Sequence, residues 1–392
     1  MSTKKKIAIL GSTGSVGKQA LEVIRNCQDT LKVVLLSANN QAELLVRQAI
    51  EFKPEAVIIR NEDQLPFVRK KLADLPIQVL GGSKHINRFS SITGFDLLLN
   101  ALSGISGLWP TLDAIEHGKD IAMANKESMV AGGQLIMDAA RQQKTSVIPV
   151  DSEHSAVFQC LQGESDQNIK KIFLTASGGP FKGIKHKDLS QVSVEQALQH
   201  PNWDMGKKIT IDSATLANKG MEAIAAQWYF NLKPEQIDII LHPQSVVHAL
   251  VQFHDGSIKA QMALPDMRLP IHYALNYPER KPVSIPHLDF SECVHLDFEK
   301  VNIENHPDLQ LAMEAMQGGG NLPAALNAAN ETAAYAFLNK RIAFTQIAEV
   351  TKNVLQHTTL IPKPNLGEIL ATDQASRKIA EAHIKTIPGL NR

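Results

Sequence analysis

Short apolar runs alternate with amphipathic stretches through the first 150 residues. KIAIL at 6–10, KVVLLSA at 32–38, EAVIIR at 55–60, IQVLG at 77–81, FDLLLNAL at 95–102, DIAMAN at 120–125 and TSVIPV at 145–150 have strand length and β-forming composition. Between them, helical periodicity predicts helices near 15–27, 41–52, 107–118 and 127–143. Strands alternating with helices predict a mostly parallel sheet covered on both faces, an α/β, Rossmann-like arrangement. After Asp151 the pattern changes. KKIFLTAS, KKITIDSAT, IDIILHP and VVHALVQFHDGSIKAQMAL are longer runs, and Asp255-Gly256 in the last is a tight hairpin signal. They predict an α+β region with antiparallel pairing, KKITIDSAT counted among its extended runs. Pro282, Pro286 and Pro307 mark 281–311 as a linker. From about 312 onward four helical patterns with short loops between them predict a small antiparallel bundle. The expected division is therefore 1–150, 151–280 with a hinged segment at 200–208, the linker, and 312–392.

Composition narrows the functional classes. A chain of 392 residues exceeds one compact core and predicts two or three domains. Basic and acidic residues balance at 40 each, so no general field draws in nucleic acid or an anionic membrane. Aromatics make up only 5% and do not interleave with basic residues, which weakens a nucleic-acid role further. No stretch reaches the roughly 20 apolar residues of a membrane span, and IAIL behind the first lysines is too short for a signal-peptide core. Cys27, Cys160 and Cys293 lie far apart, without the spacing of a structural zinc site or a disulfide framework. These features predict a cytoplasmic enzyme of small-molecule metabolism.

The chemistry-bearing residues fall at strand ends. ILGSTGSVGKQALEVI places Gly11, Gly14 and Gly17 between a strand and a helix, where a tight turn and free helix N–H groups suit a pyrophosphate. The bland alternative is a glycine-rich turn without a ligand. The second strand ends LLSANNQ, with no acid to bond an NAD ribose and none to repel a 2′-phosphate, which tilts the reading toward NADP. No arginine follows that strand either, so Asn39 and Asn40 are amide donors or turn residues. Lys126, in AMANKES, either faces a bound anion or is a solvated charge. PVDSEHSAV sets Asp151 and Glu153 around Ser152. If the chain stays extended there, residues two apart point the same way and the two carboxylates converge. Oxygen ligands with no cysteine and no paired histidines suit Mg²⁺ or Mn²⁺ rather than zinc. A solvated loop or a capped helix start is the plain alternative.

Further on, LTASGGPFKG runs a strand into a Ser-Gly-Gly turn. Its backbone N–H groups and Ser177 form an anion nest or an ordinary turn. His200 to Gly206 carries Trp203 and Met205 in a segment with little periodicity, fitting a lid over a ligand or two core anchors. In DSATLANKGME, Asn218, Lys219 and Glu222 share one helix face. Ser, Asn and Lys at a helix start grip a phosphate, whereas Glu222 opposes one unless a cation makes it a third oxygen ligand.

GSTGSVG, ANKES, VDSEHSA, SGGPF, HPNWDMGKKITIDSATLANKGME, LHPQSVVHALVQFHDGS and ALNAANE occur in this order. Together they resemble the 1-deoxy-D-xylulose 5-phosphate reductoisomerase family over essentially the whole chain. The resemblance implies homodimers with an N-terminal NADPH domain, a catalytic middle domain and a C-terminal helical domain. It implies rearrangement of a phosphorylated ketose and NADPH reduction of the resulting aldehyde to 2-C-methyl-D-erythritol 4-phosphate, in the non-mevalonate isoprenoid route. By motif, Thr13, Gly14, Ser15 and Val16 would line the cofactor pyrophosphate, and Ala38, Asn39 and Asn40 its adenosine end. Asn125, Glu127 and Gly206 would also touch the cofactor. Asp151, Glu153 and Glu222 would hold Mg²⁺ or Mn²⁺; Lys126, Ser152, Glu153, Ser177, His200, Ser213, Asn218, Lys219 and Glu222 would meet the substrate. Lys126, His200 and the three carboxylates would be catalytic. Asn39 departs from the basic or serine side chain of many relatives. The rearrangement runs by retro-aldol and aldol steps or by a 1,2-shift. Two other readings are an NADP-dependent, metal-assisted oxidoreductase of a different phosphorylated substrate and a catalytically silent NADP-binding regulator. The second has no need of a metal triad.

Overall fold

The seven apolar runs of the first 150 residues form seven parallel strands in the computed structural model, which describes residues 4–203, 205–292 and 295–387. They are β1 (Lys5–Leu10), β2 (Leu31–Ala38), β3 (Ala56–Ile59), β4 (Gln78–Gly81), β5 (Leu97–Asn100), β6 (Asp120–Met123) and β7 (Val147–Pro149). Their order in the sheet is β4-β3-β2-β1-β5-β6-β7. Every residue of β3 and β5 is buried, the mark of strands covered on both faces. Helices Ser15–Arg25, Ala42–Phe52, Leu65–Lys71 and Leu108–Glu116 supply the crossovers. Because β1 pairs with β2 on one side and β5 on the other, the strand order reverses there. A crevice opens at the carboxyl ends of such a switch point, where open α/β sheets take ligands. The chain divides into two compact units. The first comprises 1–128, 136–155 and 266–286, so the helix Arg268–Asn276 belongs with this sheet.

The second unit comprises 129–135, 156–265 and 287–392. Its sheet is mixed, in the order β11-β10-β8-β9-β12, from β8 (Ile169–Ala176), β9 (Ile237–Leu241), β10 (Val247–Phe253), β11 (Ile258–Met262) and β12 (Glu299–Lys300). β10 runs antiparallel to both β8 and β11, as the hairpin signal predicts, and Gly256 adopts the left-handed φ of +89° that its turn requires. The helix Ala217–Phe230 packs Met221, Ile224 and Phe230 into one core with Ile172, Leu174 and Val251 of the sheet. Gly220 makes room on that helix: a Cβ there would lie 2.3 Å from Cβ of Ala312 on the helix Pro307–Gly318. The last three helices, Leu322–Leu338, Gln346–His357 and Leu366–Thr386, bury a second core of Ala329, Ala333, Val350, Val354 and Ala380. The 281–311 stretch holds β12, and the helix after it starts at Pro307.

One sequence expectation is overturned, and of the two readings of PVDSEHSAV the helix start holds rather than the extended one. KKITIDSAT is the helix Lys207–Thr215, not an extended run. Its Ile-Thr-Ile alternation suits a strand, but Ile211 and Ala214 are three apart and both enter the helical core. PVDSEHSAV does not stay extended. The helix Ser152–Cys160 starts directly after Asp151, whose carbonyl accepts from the Ser155 N–H at 2.8 Å. Glu153 therefore sits in a first helical turn, where its charge complements the exposed N–H groups.

Candidate active site

The GSTGSVG turn distributes its glycines by function. Gly11 takes φ +84°, and a Cβ there would lie 2.4 Å from the Ala101 carbonyl oxygen. Gly17 would collide with the Gly11 carbonyl at 2.3 Å, so helix and turn pack backbone to backbone. Gly14 is the N-cap of Ser15–Arg25 and has no such neighbour; its nearest contact would be an ordinary 3.4 Å. No side chain caps that helix and no acid lies in its first turn, so the N-terminus keeps its positive field. Thr13, Gly14, Ser15 and Val16 run from the carboxyl end of β1 into this uncapped helix start. Ser12 is spent on structure, donating to Gln48 Oε1 at 2.7 Å. Ala38 is buried at the end of β2, and Asn39 and Asn40 are exposed beyond it.

Asn125 caps the helix Lys126–Gln143 by accepting from Ser128 N–H. Its amide also donates to the carbonyls of Leu102 and Gly104 at 2.8 and 2.9 Å and to Glu127 Oε2 at 3.2 Å. The side chain is consumed in holding the β5 and β6 ends together. One residue on, Lys126 is only 7% exposed and places Nζ 2.7 Å from Asp151 Oδ2. That oxygen is buried and lacks a well-aligned hydrogen bond, so the contact is an ion pair with acceptor capacity to spare. Ser152 Oγ donates to Glu153 Oε2.

In the second unit, three distant segments meet around one imidazole. His200 Nε2 lies 3.2 Å from Ser177 Oγ and 3.1 Å from Ser213 Oγ. His200 Nδ1 accepts the backbone N–H groups of Asn202 and Trp203 at 3.2 and 3.0 Å. Backbone N–H groups can only donate, so the neutral ring carries its proton on Nε2, facing the two serines. Burial lowers its pKa below the ordinary 6.5, which keeps the ring neutral. Gly178 and Gly179 take φ of +90° and +64°, two successive left-handed residues that a side chain would disfavour. Gly179 N–H donates to Ser177 Oγ at 3.2 Å. Its missing Cβ admits the Ser213 carbonyl, which would otherwise stand 3.1 Å away.

Ser213 lies in the last turn of one helix, and Asn218 and Lys219 in the first turn of the next. Leu216 joins them in a left-handed conformation (φ +61°), a strain of roughly 1 kcal/mol or more for a non-glycine residue. Leu216 is held there by burial with Ala176, Leu241 and Leu309. On the following turn Glu222, 1% exposed, accepts from Asn218 Nδ2 at 2.6 Å and Lys219 Nζ at 2.5 Å. The anionic residue that looks out of place beside a phosphate grip is therefore matched by its own helix. Gly206 caps Lys207–Thr215, and the Trp203 ring lies tilted 6.3 Å from His248. Asp204, inside the 200–208 segment, lies outside the described residues, as does Cys293.

Several residues of this region carry no mark in the local sequence. Asn202 Nδ2 ties the segment to Pro243 O and Ser245 Oγ at 2.6 and 2.8 Å. His242 is fully buried, and its Nε2 accepts from the N–H groups of Val246 and Val247 while the ring stacks on Phe298. Both lie with His248 in or against LHPQSVVH, so the only signal was that motif as a block.

The family model described as 1-deoxy-D-xylulose 5-phosphate reductoisomerase matches residues 7–133. Its C-terminal domain model matches 147–230, and the DXP reductoisomerase C-terminal domain model matches 262–379. A relative of that name from Bacteroides fragilis is 48% identical over 377 residues, covering 96% of this chain and 97% of its own. One from Thermoanaerobacter sp. is 47% identical over 383 residues, 97% of this chain and all of the relative. Among solved structures, the Zymomonas mobilis reductoisomerase in complex with NADPH is similar at 38% identity and TM-score 0.92, covering 98% of this chain and 100% of that one. DOX-P reductoisomerase with NADPH, fosmidomycin and magnesium is similar at 37% identity and TM-score 0.93, with the same coverage. Three domain models in sequence order and near-complete coverage by relatives close to half identical leave one placement: the chain belongs to the 1-deoxy-D-xylulose 5-phosphate reductoisomerase family.

Proposed function

We propose that this chain converts 1-deoxy-D-xylulose 5-phosphate to 2-C-methyl-D-erythritol 4-phosphate, using NADPH and a divalent cation. The observation that carries the reading is the pairing of anion grip and carboxylate on two helices joined at Leu216. Ser213, with Ser177 and His200, offers donors to a phosphate, and Glu222 stands two turns further on. Asp151, Glu153 and Glu222 each offer a carboxylate oxygen, a hard donor set that fits Mg²⁺ or Mn²⁺ and not a soft metal. When bound, the cation supplies Lewis-acid polarisation of the ketose oxygens, and NADPH supplies hydride.

The chain's own groups do the rest. Lys126 and Lys219 neutralise Asp151 and Glu222 here. With a cation held by those carboxylates, both ammonium groups would be available to the substrate's oxygens. Ser177, Ser213, Asn218 and the Nε2–H of neutral His200 hold the phosphate, and Ser152 orients Glu153. Trp203 and Met205, hung from His200 Nδ1 through the Trp203 N–H, close over the bound molecule and keep water from the aldehyde before hydride arrives. Thr13, Gly14, Ser15 and Val16 take the cofactor pyrophosphate. Ala38, Asn39 and Asn40 take its adenosine end, with Asn125, Glu127 and Gly206 beside the rest of it. Residues 1–150 act as the cofactor domain, joined by the helix Arg268–Asn276; the rest of 151–280 acts as the catalytic and dimerisation domain, and 312–392 as a helical domain behind the 281–311 stretch. The enzyme works in the cytoplasm as a homodimer; no helix among the described residues is long and apolar enough to cross a membrane. The test is a coupled measurement: loss of NADPH absorbance with this ketose phosphate and Mg²⁺ or Mn²⁺, the product identified by mass. Cofactor binding without turnover would instead favour a silent regulator.

A further inference from the structure

A cofactor bearing a 2′-phosphate calls for a positive partner, and the end of β2 supplies only the amides of Asn39 and Asn40. The neighbouring strand supplies the charge. β3 lies parallel to β2 with Ile59 opposite Ala38. The backbone N–H of Arg60 donates to the Ala38 carbonyl at 2.8 Å, and that of Asn61 to the Asn39 carbonyl at 3.2 Å. Arg60 therefore leaves the sheet at the level of Asn39, although 21 positions separate them in the chain (60 − 39). Its Nε donates to Ser83 Oγ at 3.2 Å, and Asn61 Nδ2 donates to Asn40 Oδ1 at 3.0 Å. The guanidinium is exposed, and among the described residues it forms no ion pair with a carboxylate. With Nε anchored on Ser83, the two terminal nitrogens remain as a pre-oriented fork, the geometry that binds phosphate bidentately.

We infer that Arg60, flanked by Asn39 and Ser83, binds the 2′-phosphate of NADPH and sets the preference for NADPH over NADH. The inference rests on the dinucleotide reading of GSTGSVG. In an open parallel sheet the adenosine ribose lies at the end of the second strand, so a basic residue reaching it from the third strand does the work otherwise done from the second.

Titration of the purified chain by calorimetry or cofactor fluorescence tests this, with NADPH, NADH and adenosine 2′,5′-bisphosphate as probes. The parent should bind NADPH more tightly than NADH. Arg60→Ala should weaken NADPH and the bisphosphate about 10- to 100-fold while NADH stays within about twofold, the usual loss for hydrogen bonds to a charged group. Arg60→Lys should fall between, since the charge remains and the fork is lost. Arg60 is exposed, so an unchanged thermal midpoint should accompany both variants. An Arg60→Ala ratio of NADPH to NADH affinity equal to the parent's would overturn the assignment, as would a parent that binds the two alike. A parent that binds neither would sink the dinucleotide reading itself, which is a distinguishable failure.

Discussion

Single side chains in this protein are set by their partners more than by their type. Glu222 is a buried carboxylate whose charge is tolerated because Lys219 and Asn218 both reach it. If it is a cation ligand, Glu222→Gln keeps the shape and removes the charge. Metal-dependent turnover should fall by about 100-fold or more, with NADPH affinity unchanged in a binding titration. Excess chelator should abolish the parent's activity reversibly; full turnover in chelator would refute the metal assignment. His200 makes a second prediction. Its folded-state pKa is lowered by burial, so the ring stays neutral above the ordinary 6.5 and protonates only below it. A proton on Nδ1 would face the N–H groups of Asn202 and Trp203 and release that segment. The KM for the ketose phosphate should therefore rise on the acid side of pH 6.5 and stay level between pH 7 and 8 through this group. A His200→Gln variant that keeps the acid rise would assign it elsewhere.

Elements position these residues through contacts between segments far apart in sequence. The helix Lys207–Thr215 carries Ser213 and is held from outside. Asn330 Nδ2, from ALNAANE, donates to Asp212 Oδ1 at 2.9 Å, and Lys208 Nζ meets Asp212 Oδ2 at 2.5 Å. Asp212 is 1% exposed, so losing the amide leaves a buried charge short of a donor, at about 1.5–3 kcal/mol. Asn330→Ala should raise the KM for the phosphorylated substrate about tenfold and lower kcat far less. Its effect should be non-additive with Ser213→Ala in a double-mutant cycle. A drop in thermal midpoint with unchanged KM would mean that Asn330 serves the core alone. The same helix explains a misread element. Ile209 and Ile211 alternate with threonine and aspartate as in a strand, and only the apolar face formed by Leu322–Leu338 and its neighbours turns Ile211 and Ala214 inward together. Left-handed Leu216 then ends it abruptly, which local propensity disfavours and burial enforces.

For the molecule as a whole, one buried acid governs a pH-dependent share of stability. Asp308 is 3% exposed, and its Oδ1 has no hydrogen-bond partner among the described residues. Burial first, and the charge of Asp212 second, push its carboxyl up to about 7. Between its unfolded value near 3.8 and about 7 the folded chain holds a proton that the unfolded chain has lost. Stability therefore falls as pH rises through that window and levels off above it, by at most about 4 kcal/mol. Asp308→Asn should be more stable than the parent at pH 8, and the gap should close toward pH 4 in denaturant titrations. A gap independent of pH would mean that Asp308 does not titrate in this range.

Local order alone carried much of the fold. The β/α alternation of residues 6–150, the glycine turn after IAIL, the Asp255-Gly256 hairpin and the four late helices follow from periodicity and turn chemistry, which act over a few residues. The oxygen-only donors Asp151, Glu153 and Glu222, with no partnering cysteines, likewise mark the metal chemistry by residue type. Tertiary structure decided what those patterns leave degenerate. A period-two run became the helix that carries Ser213, because a core made elsewhere in the chain was there to bury Ile211 and Ala214. Asp151 and Glu153 ended on either side of a helix start rather than along a strand, since the backbone bonded back to Asp151. Ser177, His200 and Ser213 meet, Asn330 reaches Asp212, and Arg60 stands level with Asn39, only because strand register and helix packing close loops of 13 to 118 residues. Sequence spacing does not encode such closures, and burial, which determines whether a charge is paired, neutral or free to bind, exists only after the chain has folded.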